Sequence, residues 1–262
     1  LVSPFNKTKH VCLLGQPPGG KLLGEKMTDK QRRFFVMRAW LVHFYTSLGL
    51  VCGLFGLIFI AAGNLKFALI LLGLAMIIDS TDGTMARTWK VTTYTPQFDG
   101  RKLDDITDYI NYAFIPFYFA YRFGIVQGAG IAVLAVTAIA AGYGFCQKAA
   151  KTNDGYYTGF PNYWNFLIFY LYLFHLPPTV SAIILLVFSF LIWAPVEFAS
   201  FSTQPLRKLT VLMAFLYGII SSGIIYLILV GRPYNGLAWM SLIFPLYYIF
   251  LAFYLRQKKN RA

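Results

Sequence analysis

Residues Asp79–Asp108 read DSTDGTMARTWKVTTYTPQFDGRKLDDITD and hold Asp79, Asp82, Asp99, Asp104, Asp105 and Asp108. That is six of the ten acidic residues in a 262-residue chain whose formal net charge is +13. Long apolar runs flank the stretch on both sides. Carboxylates at the end of a membrane-spanning run are costly to keep there, so they read as functional by default. At 100° per residue, Asp79, Asp82, Gly83 and Ala86 fall within about 100° of one another on a helix. Asp104 and Asp108, four apart, stack on one face near the start of a second helix. Where two such faces meet, four carboxylates surround one point. Their repulsion would raise each pKa and oppose folding unless cations lie between them. An all-oxygen set without His or Cys suits hard cations such as Mg2+, Mn2+ or Ca2+. Four acids suit two ions, an arrangement that clamps the oxygens of a reacting phosphate. Gly83 and Ala86 leave room for a ligand against the helix backbone, and Arg87 adds a planar fork for phosphate.

Composition sets the class. The chain is 58% hydrophobic and 18% aromatic but only 13% charged, against about 25% charged in soluble domains. With several long uncharged runs, this predicts an all-α, polytopic membrane helix bundle. The expected organisation is a basic arm and interfacial helix over 1–38, a transmembrane domain over 39–255 and a basic tail over 256–262. Residues 25–39 mix Met27, Phe34, Phe35 and Met37 with Lys26, Lys30, Arg32, Arg33 and Arg38, as expected of an amphipathic helix in the headgroup plane. About eight spans follow, near 40–62, 67–87, 103–123, 126–148, 163–176, 179–196, 209–230 and 237–254. Gly63-Asn64 and Pro177-Pro178 mark two of the turns. No cleavable signal peptide is expected at the start. Cys12, Cys52 and Cys146 match neither a zinc motif nor a disulfide framework.

Residues 1–39 carry eight Lys/Arg. The links holding Arg87, Lys90, Arg101, Lys102, Lys148, Lys151, Arg207 and Lys208 share their sign, as does the tail. The opposite links offer Lys66, Arg122 and Arg232. This asymmetry predicts both termini, and the acidic stretch, on the cytoplasmic side. The basic flanks suit anionic membrane lipids; no nucleic-acid module stands out.

The order Asp79-x-x-Asp82-Gly83-x-x-Ala86-Arg87, then Gly100-x-x-x-Asp104-x-x-x-Asp108, resembles the signature of the CDP-alcohol phosphotransferases. The gap between Arg87 and Gly100 is longer than the family's usual spacing. That gap, the run Phe98–Tyr112 and the eight apparent spans look more like the bacterial phosphatidylcholine synthases. The resemblance implies an inner-membrane, homodimeric enzyme that uses two Mn2+ or Mg2+ ions. It would transfer a phosphatidyl group from CDP-diacylglycerol to choline with release of CMP. In the family the first three acids hold the ions, and the fourth also reaches a metal and serves as general base. The resemblance places those roles on Asp79, Asp82, Asp104 and Asp108 in that order. It implies nucleotide or phosphate contacts for Asp79, Gly83, Ala86, Arg87 and Gly100; Arg207, after Pro205 on a link of the same side, is a further phosphate candidate.

Each has a plainer reading. The acids could be solvated helix ends paired with Arg87, Arg101 or Lys102. Gly83 and Ala86 could serve close helix packing, Gly100 a simple turn, and Arg87 and Arg207 topology. Choline calls for aromatic faces and a nearby carboxylate; Tyr94, Tyr112, Trp164 and Glu197 are the candidates, with interfacial belt or core as the plain alternative. Asp99 and Asp105 fall outside the metal face, and His43 and His175 read as structural. Two rivals remain: a relative acting on serine, inositol phosphate or glycerol phosphate, and a cation transporter.

Overall fold

The computed structural model describes residues 27–147, 156–194, 197–199 and 207–260, with backbone alone at 156–158, 197–199, 207, 255–256 and 258–260. The expected basic arm over 1–24, the end of the tail, and the side chains of Glu197 and Arg207 lie outside that description. Among the described residues the regular structure is helical apart from one short ribbon. In order come α1 (Asp29–Ala61), α2 (Leu65–Thr88), α3 (Val91–Tyr94), α4 (Gly100–Tyr109), a π-helical turn (Ile110–Phe114), α5 (Ile115–Arg122), α6 (Ile131–Cys146), β1 (Tyr156–Thr158), α7 (Trp164–Leu173), α8 (Pro178–Leu191), β2 (Glu197–Ala199), α9 (Arg207–Leu229), α10 (Asn235–Ser241) and α11 (Ile243–Asn260). The ribbon pairs β1 with β2 antiparallel, Tyr157 opposite Phe198, and joins the link before α7 to the link after α8.

Among the described residues, four helical stretches are long and apolar enough to cross a membrane: Asp29–Ala61, Gly128–Cys146, Lys208–Leu229 and Asn235–Tyr254. Trp164–Leu173 and Pro178–Leu191 are shorter apolar helices. Large apolar side chains face outward. Phe44, Ile139, Phe215 and Phe250 are 63%, 68%, 66% and 69% exposed. Such a surface is costly in water and suited to lipid.

The expected separate interfacial helix is not found. The described part of that stretch, 27–39, is not a helix of its own; Asp29 begins a helix that runs unbroken for 33 residues. Thr28 and Gln31 close a capping box at its start, and no Pro or Gly interrupts the next turns. At 1.5 Å per residue α1 is about 50 Å long, more than the ~30 Å hydrocarbon core. Its first turns therefore reach beyond any bilayer that its apolar part crosses. There they pack on the elbow after α2. Ala39, Val42 and Val91 are buried together against Met85, Ala86, Trp89 and Tyr94, and the Arg38 guanidinium lies over Trp89 at 4.3 Å.

Helix α1 is the scaffold for the acidic stretch. Its small residues admit α4 and the π-turn at close range. A Cβ on Gly49 would come within 2.7 Å of Thr107 Cγ2, and one on Gly53 within 2.6 Å of Asn111 Oδ1. Asn111 uses that proximity: its Nδ2 donates to Gly49 O and to Thr107 O, both at 3.1 Å. One buried amide thus ties the π-turn to α1 and to the last turns of α4. A one-turn π segment inside an α-helix frequently accompanies a functional site. This one follows Asp108 by two residues and contains Tyr112.

Candidate active site

Asp79 comes from just past the middle of α2, Asp104 from the first turns of α4, and Asp108 from its end. One carboxylate oxygen of each lies within 4.8 Å of the other two. All three are partly buried. At that spacing two like charges repel by about 3 kcal/mol at an effective dielectric constant near 20. Three such pairs exceed what a few neutral hydrogen bonds can offset. The expected convergence is present, with one difference: Asp82 is not part of the close group. It is 4% exposed, and its Oδ2 accepts from Thr46 Oγ1 at 2.7 Å. Asp79 Oδ2 likewise accepts from Tyr112 OH at 2.7 Å. Hydroxyls orient two of the acids without neutralising them. The donor set, oxygen from carboxylates alone, fits hard divalent cations.

The remaining residues divide. Gly83 faces an open side: a Cβ there would meet only the Arg87 guanidinium, at 3.3 Å. Close packing against another helix therefore does not explain it. Arg87 is exposed and donates from Nη2 to Thr84 Oγ1 at 3.2 Å, so a cationic fork stands over a bare stretch of α2 one turn from Asp82. Ala86 instead packs into the contact with α1. Gly100 is occupied too, since a Cβ on it would approach His43 Cε1 to 2.6 Å. The His43 ring packs on Phe98 at 4.4 Å, and its Nε2 lies 2.9 Å from Thr95 Oγ1. That hydroxyl gives its own hydrogen to Val91 O at 3.0 Å, so His43 is the donor. The buried imidazole pins the elbow to α1 and sets where α4 begins. Asp99 caps α4, accepting from Lys102 N at 3.0 Å, and Asp105 is exposed, away from the close group.

The expected aromatic cage does not assemble. Trp164 is fully buried in the core, packed against Phe117 and Phe160, with Nε1 donating to Asn162 Oδ1 at 3.0 Å. Tyr94 stacks on Phe35 of α1 at 5.0 Å. Of the described candidates, Tyr112 alone reaches the acids. Sequence reasoning missed Thr46, which has no motif around it. It placed Tyr112 near an acceptor but did not see it as a partner of Asp79; its position four residues after Asp108 was the available signal.

Comparison with known proteins bears on this site. Residues 40–199 match the family described as CDP-alcohol phosphatidyltransferase. A phosphatidylcholine synthase of Legionella pneumophila is 36% identical over 228 residues, covering 82% of this chain and 88% of its own. One from Borreliella burgdorferi is 39% identical, covering 66% of this chain and 75% of its own. One from Pseudomonas aeruginosa is 33% identical, covering 75% and 82%.

Proposed function

The chain belongs to the CDP-alcohol phosphatidyltransferase family, and from that premise we propose that it transfers the phosphatidyl group of CDP-diacylglycerol to choline, releasing CMP. The observation that carries this reading is the meeting of Asp79, Asp104 and Asp108, from two helices, within 4.8 Å. These three, with Asp82 beside them, would hold two Mn2+ or Mg2+ ions. Once bound, the ions would offset the charge of the pyrophosphate and of the departing CMP.

The protein's own groups do the rest. Gly83 leaves the α2 backbone bare for the nucleotide, and Arg87 offers a fork to its phosphates. Arg207 is a second phosphate contact. Asp108 accepts the proton of the choline hydroxyl. The freed oxygen bonds to the phosphorus nearest the diacylglycerol, the bond from that phosphorus to the bridging oxygen breaks, and CMP leaves with the electron pair. Tyr112 and Thr46 hold Asp79 and Asp82 in place. Eight spans, with α2, the unit from α4 to α5 and the short apolar helices α7 and α8 crossing alongside the four long ones, would put both termini and the acids on the cytoplasmic side of a bacterial inner membrane. There a lipid donor can enter sideways. The working unit is a homodimer, as the family resemblance implies.

The test is a turnover screen with purified protein and CDP-diacylglycerol. Choline, serine, inositol phosphate and glycerol phosphate are offered in turn, with Mn2+, Mg2+ or chelator. Metal-dependent CMP release with choline is expected. Release with an anionic alcohol in preference to choline would refute the assignment.

A further inference from the structure

A cavity of about 100 Å³ lies between α2, the π-turn with α5, α7 and α9. Tyr112 joins it to the acids. Tyr112 lines the cavity, while its hydroxyl donates to Asp79 Oδ2 at 2.7 Å. The two spaces are therefore separated by the width of one phenol ring. The lining also includes Phe119, Phe166, Phe169, Tyr217 and Ser221. Among the described residues, no Lys, Arg, Asp or Glu lines it.

Two independent features point to a ligand. The first is the chemistry of the wall. Phosphorylated or carboxylated alcohols would lose their hydration here without gaining a cation, at a cost of several kcal/mol. An alkylated ammonium has no hydrogen bonds to lose, and aromatic faces attract it. The second is Ser221. Its side-chain oxygen is buried beside the Tyr217 hydroxyl, with no well-formed hydrogen bond among the described residues. Buried hydroxyls are seldom left so. An oxygen with free lone pairs can accept the weak C–H···O contacts that polarised N-methyl groups offer.

We propose that this cavity receives the trimethylammonium end of the acceptor alcohol, its hydroxyl pointing past Tyr112 to the acid group. The assignment rests on the reading of the chain as a choline-using transferase. It names the residues that choose the acceptor: Phe119, Phe166, Phe169 and Tyr217 by their faces, Ser221 by its oxygen. Tyr112 works on both sides of the boundary.

The test is steady-state kinetics of the full-length protein in mixed micelles. KM for choline and KM for CDP-diacylglycerol are measured separately, and acceptors are ranked across choline, N,N-dimethylethanolamine and ethanolamine. Wild-type turnover with choline settles the underlying reading first; its absence would remove that reading and this one together. Given turnover, Tyr217→Leu and Phe169→Leu remove a ring at similar bulk. Each should raise KM for choline on the order of tenfold, leave KM for CDP-diacylglycerol within about twofold, and narrow the preference for choline over ethanolamine. Tyr217→Phe, which keeps the ring, should recover most of the KM for choline. Ser221→Ala should act in the same direction by a smaller factor. If these variants instead raise KM for CDP-diacylglycerol or change its preferred acyl length, with KM for choline unmoved, the cavity holds lipid and the proposal is wrong.

Discussion

The two ends of the α1–α2 hairpin treat charge in opposite ways. At the turn, α1 ends on carbonyls with no helical partner, where the helix dipole is negative. Arg122 answers it. Its Nε donates to Ala61 O at 3.2 Å, and its guanidinium lies close over Gly63, whose φ of +73° makes the turn. At the other end Asp79, Asp104 and Asp108 crowd charges of one sign, with the Tyr112 and Thr46 hydroxyls turned to Asp79 and Asp82. One end completes its electrostatics from within the chain. On the proposed reading, the other is completed by something positive from outside. The first is a structural cap, the second the proposed binding site, and the contrast can be broken by exchanging what each end is given.

The largest effect is expected from Asp108→Asn. Removing the base should lower turnover by about 10²–10⁴-fold. The same change relieves repulsion within the acid group, so the metal-free protein should melt at the same temperature as wild type or higher. Mn2+ should raise the wild-type melting temperature in proportion to ligand binding and raise that of the variant much less. Near-normal turnover in the variant would remove Asp108 as the base. An equal Mn2+-induced shift would remove it as a ligand.

An intermediate effect is expected where neutral hydroxyls hold the acids. Thr46→Val leaves the buried Asp82 carboxylate without the hydrogen bond recorded at 2.7 Å. A bond of that kind to a charged group contributes about 1.5–3 kcal/mol. Losing a partner that orients a metal ligand typically weakens metal binding by about 10–100-fold. Activity at limiting Mn2+ should therefore fall and return at saturating Mn2+, with Thr46→Ser behaving as wild type. A loss of stability with an unchanged Mn2+ requirement would leave Asp82 as a buried structural acid and confine the metal site to the three-acid group.

The contrast between the ends was partly legible in the sequence. Gly63-Asn64 marked the turn. The i, i+3 and i, i+4 spacing of the acids told which side chains share a face, because helix geometry is local. Helix starts near 65, 164 and 178 followed from where apolar runs meet Gly, Asn or Pro. What could not be read depends on partners distant in the chain. Gly100 is small because His43, fifty-seven residues earlier, lies against it. The π-turn at Ile110–Phe114 rests on Asn111 reaching Gly49, and nothing in INYAF announces it. In a chain that is 18% aromatic, a core residue such as Trp164 and a cavity residue such as Phe169 carry the same local pattern. The unbroken α1 is a different case. Thr28 and Gln31 stand in the sequence at capping-box spacing, and the absence of any breaker through Thr46 argued for one helix.

The smallest effect belongs to the completed end. Arg122→Gln keeps length and polarity but removes the charge facing the α1 carbonyls, and a cation at a helix C-terminus contributes about 0.3–1 kcal/mol. The variant should therefore melt slightly below wild type. It should show unchanged KM for both substrates and an unchanged Mn2+ requirement, because nothing at the turn touches the acids. Arg122→Lys should sit between the two, since an ammonium can approach the same carbonyls without the planar fork. The outcome that would break the contrast is a tenfold loss of turnover in Arg122→Gln with little change in melting temperature. In that case the cap would be setting the register of α1 against α4, and the two ends of the hairpin would be one coupled device.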